Sequence, residues 1–209
     1  MSIEIPQFVI DSAHVTTNSQ LVLIERESRD TGNWAQMREC FHPDSKVRLS
    51  WFSGSGEDFV RGSIDMADRN LLAKHRLGPA VVRIAGLRAV ASMSAIIDIA
   101  TTLSGVEVQL SSHARFLYRT EQRSGRWRIV SFDAIYVRDE ITAAIPGTQV
   151  PVTAKDVEQF RPSYRMLSYV LSKQGYAVNA DLPGDDRPAE AKKFLAELYQ
   201  WAGVPVDFG

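Results

Sequence analysis

The chain has 209 residues, enough to bury one full core, or one core with an appendage. Lys and Arg number 24 against 25 Asp and Glu, a formal net charge of -1, so composition carries no basic footprint for nucleic acid or an anionic membrane. The single cysteine, Cys40, excludes an internal disulfide and a multi-thiolate metal site, and its helix-like setting beside Met37 and Phe41 reads as a buried thiol.

The start of the chain lacks the pattern of a signal peptide. The longest apolar stretches, residues 21–24 and 96–100, are too short to cross a bilayer. The expectation is a cytoplasmic protein.

Residues 1–18 carry mixed signals and read as an arm. From residue 19, Leu21, Val22, Ile24, Glu25 and Ser28 recur at helical spacing, and Gly32 stops that first helix after Asp30. Asn33 reads as the N-cap of a second helix over 34–41, ended by Pro43-Asp44. Val47, Leu49 and Trp51 alternate with Arg48, Ser50 and Phe52, which is strand spacing. Ser53-Gly54-Ser55-Gly56 turns the chain into a third helix over roughly 57–71, with Phe59, Val60, Ile64 and Ala67 on one side.

The period then changes. Residues 80–84, 88–101, 106–120 and 126–140 are β-rich and separated by Gly86, Ser104-Gly105 and Ser124-Gly125, all hairpin chemistry. Strands this long, apolar on parts of both faces, predict a strongly bent antiparallel sheet. One face must be covered by the preceding helices; the other needs a partner, a ligand or a second subunit. The fold class is α+β: a cone-like barrel with N-terminal helices across the sheet, plus a C-terminal helical extension. Helices are expected over 163–173 and from about 186 to Gly203. The tail is too short for its own core, so residues 15–142 form the domain and residues 143–209 an extension packed on it or on a neighbouring subunit.

Two residues carry the chemistry. Asp30 ends the first helix and His75 follows the third; an imidazole titrates near neutrality and a carboxylate can fix its tautomer. Equally, Asp30 can be helix punctuation and His75 a satisfied buried histidine. Asp98 sits in the apolar run Ala95-Ile96-Ile97-Asp98-Ile99-Ala100, where an acid needs a partner such as Arg138 or His75, or else faces solvent from an edge. Arg138 can bind an acidic or acyl group, or close a surface salt bridge. His113 lies on the strand face opposite Ser112 and Ala114, so only one of those faces can line a pocket. His14 and His42 are expected at the surface. The spacing of histidines and acids suits no metal site, and no dinucleotide or phosphate-binding loop occurs.

Arg29-Asp30-Thr31-Gly32-Asn33-Trp34, Phe41-His42-Pro43-Asp44, the Gly-rich turn before Phe59-Val60, and Lys74-His75-Arg76-Leu77-Gly78 together resemble the SnoaL-like branch of the nuclear transport factor 2-like superfamily. That group includes scytalone dehydratase, bile acid 7α-dehydratase, ketosteroid isomerase and polyketide cyclases. The resemblance covers about residues 15–140. It implies that Asp30 and His75 stand at the dehydratases' catalytic positions, and that Asp98 and Arg138 complete a substrate-binding set. Glu25 stands where the bile acid enzyme has a tyrosine. Ser112 matches a substrate-contacting serine of scytalone dehydratase, while a nearby asparagine is replaced by Ala114 and one of two histidines is missing.

What the resemblance implies is a cofactor-independent lyase of dehydratase type, or an isomerase, acting on a hydrophobic cyclic small molecule. The alternative is a non-catalytic ligand-binding or assembly module of the same fold, for example like a dioxygenase β-subunit. A homodimer or higher homo-oligomer through the exposed sheet face is expected in either case, with no nucleic acid, membrane, metal or cofactor involved.

Overall fold

The computed structural model describes residues 5–71 and 73–205. A long helix α1 (Gln7–Thr31) and a short one, α2 (Trp34–Glu39), lead into the hairpin of β1 (Phe41–Leu49) and β2 (Phe52–Ser55). Helix α3 (Gly56–Asp68) follows, then β3 (Lys74–Leu77), β4 (Val81–Ala85) and three long strands, β5 (Arg88–Leu103), β6 (Val106–Arg123) and β7 (Arg126–Ala143). The tail carries α4 (Ala154–Val157), a 3-10 turn (Pro162–Tyr164), α5 (Arg165–Lys173) and α6 (Pro188–Ala202).

The strands form one bent, unclosed sheet in the order β2-β1-β7-β6-β5-β3, with β4 also paired to β5. The α+β architecture and the β5-β6-β7 meander follow the sequence pattern. Both long hairpins close on a Ser-Gly pair with positive φ, Ser104 at 46° with Gly105 at 82° and Ser124 at 50° with Gly125 at 76°, matching the twist of the flanking strands. One pairing departs from the antiparallel expectation: β1 runs parallel to β7.

The N-terminal boundary also differs. From Gln7 the predicted arm is helix, and Ser12, Thr16 and Thr17 turn their hydroxyls to carbonyls four residues back within it. Tertiary contacts then dock it. The Trp127 indole donates to His14 Nδ1 at 2.9 Å, and Thr120 bonds to the buried Asn18. His14 is thus half-buried, and His42, expected at the surface, is buried with its ring bonded to the Glu121 carbonyl at 2.9 Å.

Pro43-Asp44 does not end α2; it lies within β1, where the register with β7 shifts and a missing N–H costs little. Ser53-Gly54-Ser55 pairs as β2 rather than turning. At the start of α3, a Cβ on Gly56 would lie 2.8 Å from the Phe41 ring, so glycine is what allows α3 to cross β1 so closely.

The sheet's inner face and helices α1–α3 enclose the main core, which includes Val22, Met37, Phe59, Phe116 and Phe132. The tail serves both faces of the sheet. On the inner side Tyr164 packs on Tyr136 with ring centroids 4.7 Å apart, and the half-buried Asp139 carboxylate accepts the Leu167 N–H at 2.8 Å at the start of α5. On the outer side α6 seats Leu195, Leu198 and Tyr199 against Val90, Leu117 and Ile135. Arg161 clasps Asp186 through Nε at 3.0 Å and Nη2 at 2.7 Å, tying the connector to the start of α6. Among the described residues no helix is long and apolar enough to cross a membrane.

Candidate active site

Asp30 lies in the last turn of α1, yet its carboxylate does not serve that helix. Gly32, at φ 77°, ends α1, and the N–H groups of Gly32 and Asn33 return to the Ser28 carbonyl. The Asp30 carboxylate instead crosses to β3. Its Oδ2 accepts the His75 backbone N–H at 2.7 Å and its Oδ1 meets His75 Nδ1 at 2.7 Å. Lys74 bonds to the Asp30 carbonyl, closing a third link between helix and strand.

An ionised carboxylate only accepts, so His75 Nδ1 carries the proton and Nε2 presents a lone pair. Register puts His75 opposite Ile97 of β5, on the inner face, with its ring 5.7 Å from that of Phe116. The side chain is 4% exposed. Burial, joined by the Arg26 and Arg29 charges, drives its pKa down to about 4 against the pull of Asp30, so the ring is neutral at pH 7. Burial alone would raise Asp30, but hydrogen bonds from the His75 ring and backbone hold it below the usual carboxylate range. Asp30 and His75 also line an open groove between α1 and β3.

Inside, His75 borders a narrow cavity of about 30 Å³, walled by α1 and α3, floored by Ile97, Ile99, Phe116 and Tyr136, and covered by Trp51, Leu71, Leu167 and Leu171. Tyr136 Oη accepts the Ser50 N–H at 3.0 Å, which leaves the phenolic hydrogen free to donate; burial pushes its pKa up to about 12.

Two arginines form the α1 wall. Arg26 is gripped by Glu25 with both carboxylate oxygens, Nε to Oε2 at 2.5 Å, and Tyr118 Oη donates to Glu25 at 3.2 Å. The Arg26 guanidinium lies 4.7 Å from the centre of the Phe132 ring. Burial works to lower the Arg26 pKa, but Glu25 keeps it above the ordinary value. Arg29, 2% exposed, donates Nε to Ser63 Oγ at 3.3 Å and approaches Met66 Sδ with Nη2 at 3.3 Å, and burial beside Arg26 lowers it to about 10.

Sequence reasoning passed over Arg26, Arg29 and the polar end of Tyr136. A signal for the arginines was present: Val22, Arg26 and Arg29 share the i, i+4, i+7 stripe that α1 buries.

The expected residues separate clearly. Asp30 and His75 meet, with His75 but not Asp30 in the cavity lining, and Glu25 pairs with Arg26. Asp98 does not join them. It points to the outer face, held by Arg76 at 2.6 and 2.9 Å and by Ser111 at 2.7 Å, because it alternates with the inward Ile97 and Ile99. Arg138 is also outward, 62% exposed and 3.7 Å from Glu140. Ser112 is inward and fully buried, but lies outside the cavity lining, and its hydroxyl finds no partner among the described residues.

A bent, unclosed sheet wrapped by N-terminal helices is an α+β fold of the nuclear transport factor 2-like, cystatin-like kind. The SnoaL-like domain profile matches residues 19–133, and the chain belongs to that family. An uncharacterized protein of Aspergillus terreus is 28% identical over 179 residues, covering 76% of this chain and 65% of the relative; the chain therefore spans less than two thirds of that relative's length.

Among solved structures, a putative scytalone dehydratase of Novosphingobium aromaticivorans superposes with a TM-score of 0.52 at 11% identity, covering 67% of this chain and 97% of that one. A hexachlorocyclohexane dehydrochlorinase superposes with a TM-score of 0.54 at 11% identity, over 68% and 97%. Likeness at that identity concerns the fold.

Proposed function

We propose that the chain is a cofactor-independent lyase of dehydratase type, or an isomerase, acting on a hydrophobic cyclic small molecule. His75 Nε2 removes a proton from carbon. In an elimination, the electron pair of that C–H bond becomes the new double bond, and the imidazolium returns its proton to the departing hydroxyl as water. In an isomerisation the same proton is delivered to another carbon. Asp30 is a positioning residue that holds the tautomer and offsets the imidazolium charge, and Tyr136 donates to a substrate oxygen. The single observation supporting this reading is the 2.7 Å contact of Asp30 with His75 Nδ1, which leaves Nε2 as a base at the cavity.

The second reading is a ligand-binding or assembly module, and the cavity's narrowness favours its assembly form. About 30 Å³ holds roughly one water molecule and no ring, so an occupant must part the cover formed by Leu167 and Leu171. We further propose self-association through the part of the outer sheet face that α6 leaves bare.

The test follows the absorbance of the conjugated product as cyclic β-hydroxycarbonyl compounds lose water. His75→Gln should lower the rate by about 10²–10⁴-fold with the fold intact. Unchanged turnover in that variant rejects the acid–base reading and leaves the binding module.

A further inference from the structure

The two arginines in the cavity wall are unequal. Glu25 neutralises Arg26 through both carboxylate oxygens. Arg29 has no ion pair among the described residues: its contacts are a hydroxyl, a thioether and the Trp51 ring, 5.7 Å away. The nearest acid in sequence, Asp30, spends its carboxylate on His75. The Arg29 Nη1 atom is buried and meets no acceptor, and Arg29 is one of the residues that line the cavity. A buried guanidinium without a paired carboxylate is costly, and Asp30 and Glu25 favour the Arg29 charge only from a distance; an oxyanion accepting its free N–H supplies the contact that the fold omits.

We infer that Arg29 is the anchor for an acidic oxygen of the ligand, so that the substrate class is an organic acid whose carboxylate seats on Arg29 with its ring toward Phe116 and Ile97. Ser63 holds the guanidinium at Nε and Met66, itself in the cavity lining, at Nη2, so its planar fork is oriented before the ligand arrives. The carboxylate fixes which carbon faces His75, on the same cavity. The inference rests on the cavity being the ligand site proposed above, and is independent of whether His75 performs the chemistry.

The experiment uses benzoate and its uncharged counterpart benzamide as probes, titrated calorimetrically into the full chain. Benzoate should bind roughly 10- to 100-fold tighter than benzamide, the usual worth of a hydrogen bond to a charged group. Arg29→Gln should erase that preference and Arg29→Lys should keep part of it. The Arg29 side-chain N–H resonances of the unmodified protein should shift with benzoate and stay put with benzamide, a readout that stands even where Arg29→Gln fails to fold. Equal affinities, a preference that survives Arg29→Gln, or no binding to either the natural chain or Leu171→Ala overturns the inference. His75→Gln separates the two proposals: a retained benzoate preference with retained turnover rejects the acid–base role while the anion anchor stands.

Discussion

His75 shows how far burial and partnership can pull one side chain in opposite directions. Desolvation favours the neutral ring and Asp30 favours the charged one; burial wins, leaving a base that stays unprotonated down to about pH 4. A histidine with a folded pKa of about 4 against 6.5 unfolded contributes stability that is present above pH 6.5 and is lost as the pH falls through 4, because the unfolded chain binds the proton first. Urea melts at pH 7 and pH 4 should differ by about 3 kcal/mol more in the parent than in His75→Gln. The acid limb of kcat/KM should likewise fall near pH 4 and not near 6.5; a limb at 6.5 would mean that the ring is solvated. Glu25 works differently. Removing it strands the buried Arg26 cation, so Glu25→Ala should cost about 3–5 kcal/mol in chemical denaturation.

Two helices organise the site. Helix α1 carries Glu25, Arg26, Arg29 and Asp30 within little more than one turn, so its rotation sets the polar wall as a unit. Helix α5 supplies Leu167 and Leu171 to the cover, and its position depends on Asp139 bonding the Leu167 N–H. Leu171→Ala should destabilise the fold by about 2–5 kcal/mol and widen the cavity, speeding uptake of benzene-sized probes seen by NMR line broadening. Uptake no faster than in the parent would place the ligand route elsewhere, with the groove between α1 and β3 next to examine.

For the whole molecule, α6 occupies the end of the outer sheet face around Val90, Leu117 and Ile135, surface that the sequence left for a neighbour. What stays bare includes Arg76, Asp98, Ser111 and His113, a polar strip suited to a modest rather than an extensive contact. Sedimentation at micromolar concentration should give a dimer with salt-dependent dissociation; a monomer at all concentrations removes self-association from the proposal.

By itself the sequence determined the long hairpins, the first helix from residue 19 onward and the α+β class, because turn chemistry and the switch of hydrophobic period from 3.6 to two are local properties. It also marked Asp30 and His75, through motifs at both ends of the pair. It could not orient the long strands. β5 to β7 carry apolar residues on both faces, so alternation places Asp98 opposite Ile97 without saying which of them faces inward, and Arg138 was left open for the same reason. Only the tertiary structure decided that α1–α3 cover the Ile97 face, that β1 joins β7 in parallel, and that α1 buries Arg26 and Arg29. Each of these depends on contacts between residues far apart in the chain, where the free energy of burial and ion pairing overrides what neighbouring residues prefer.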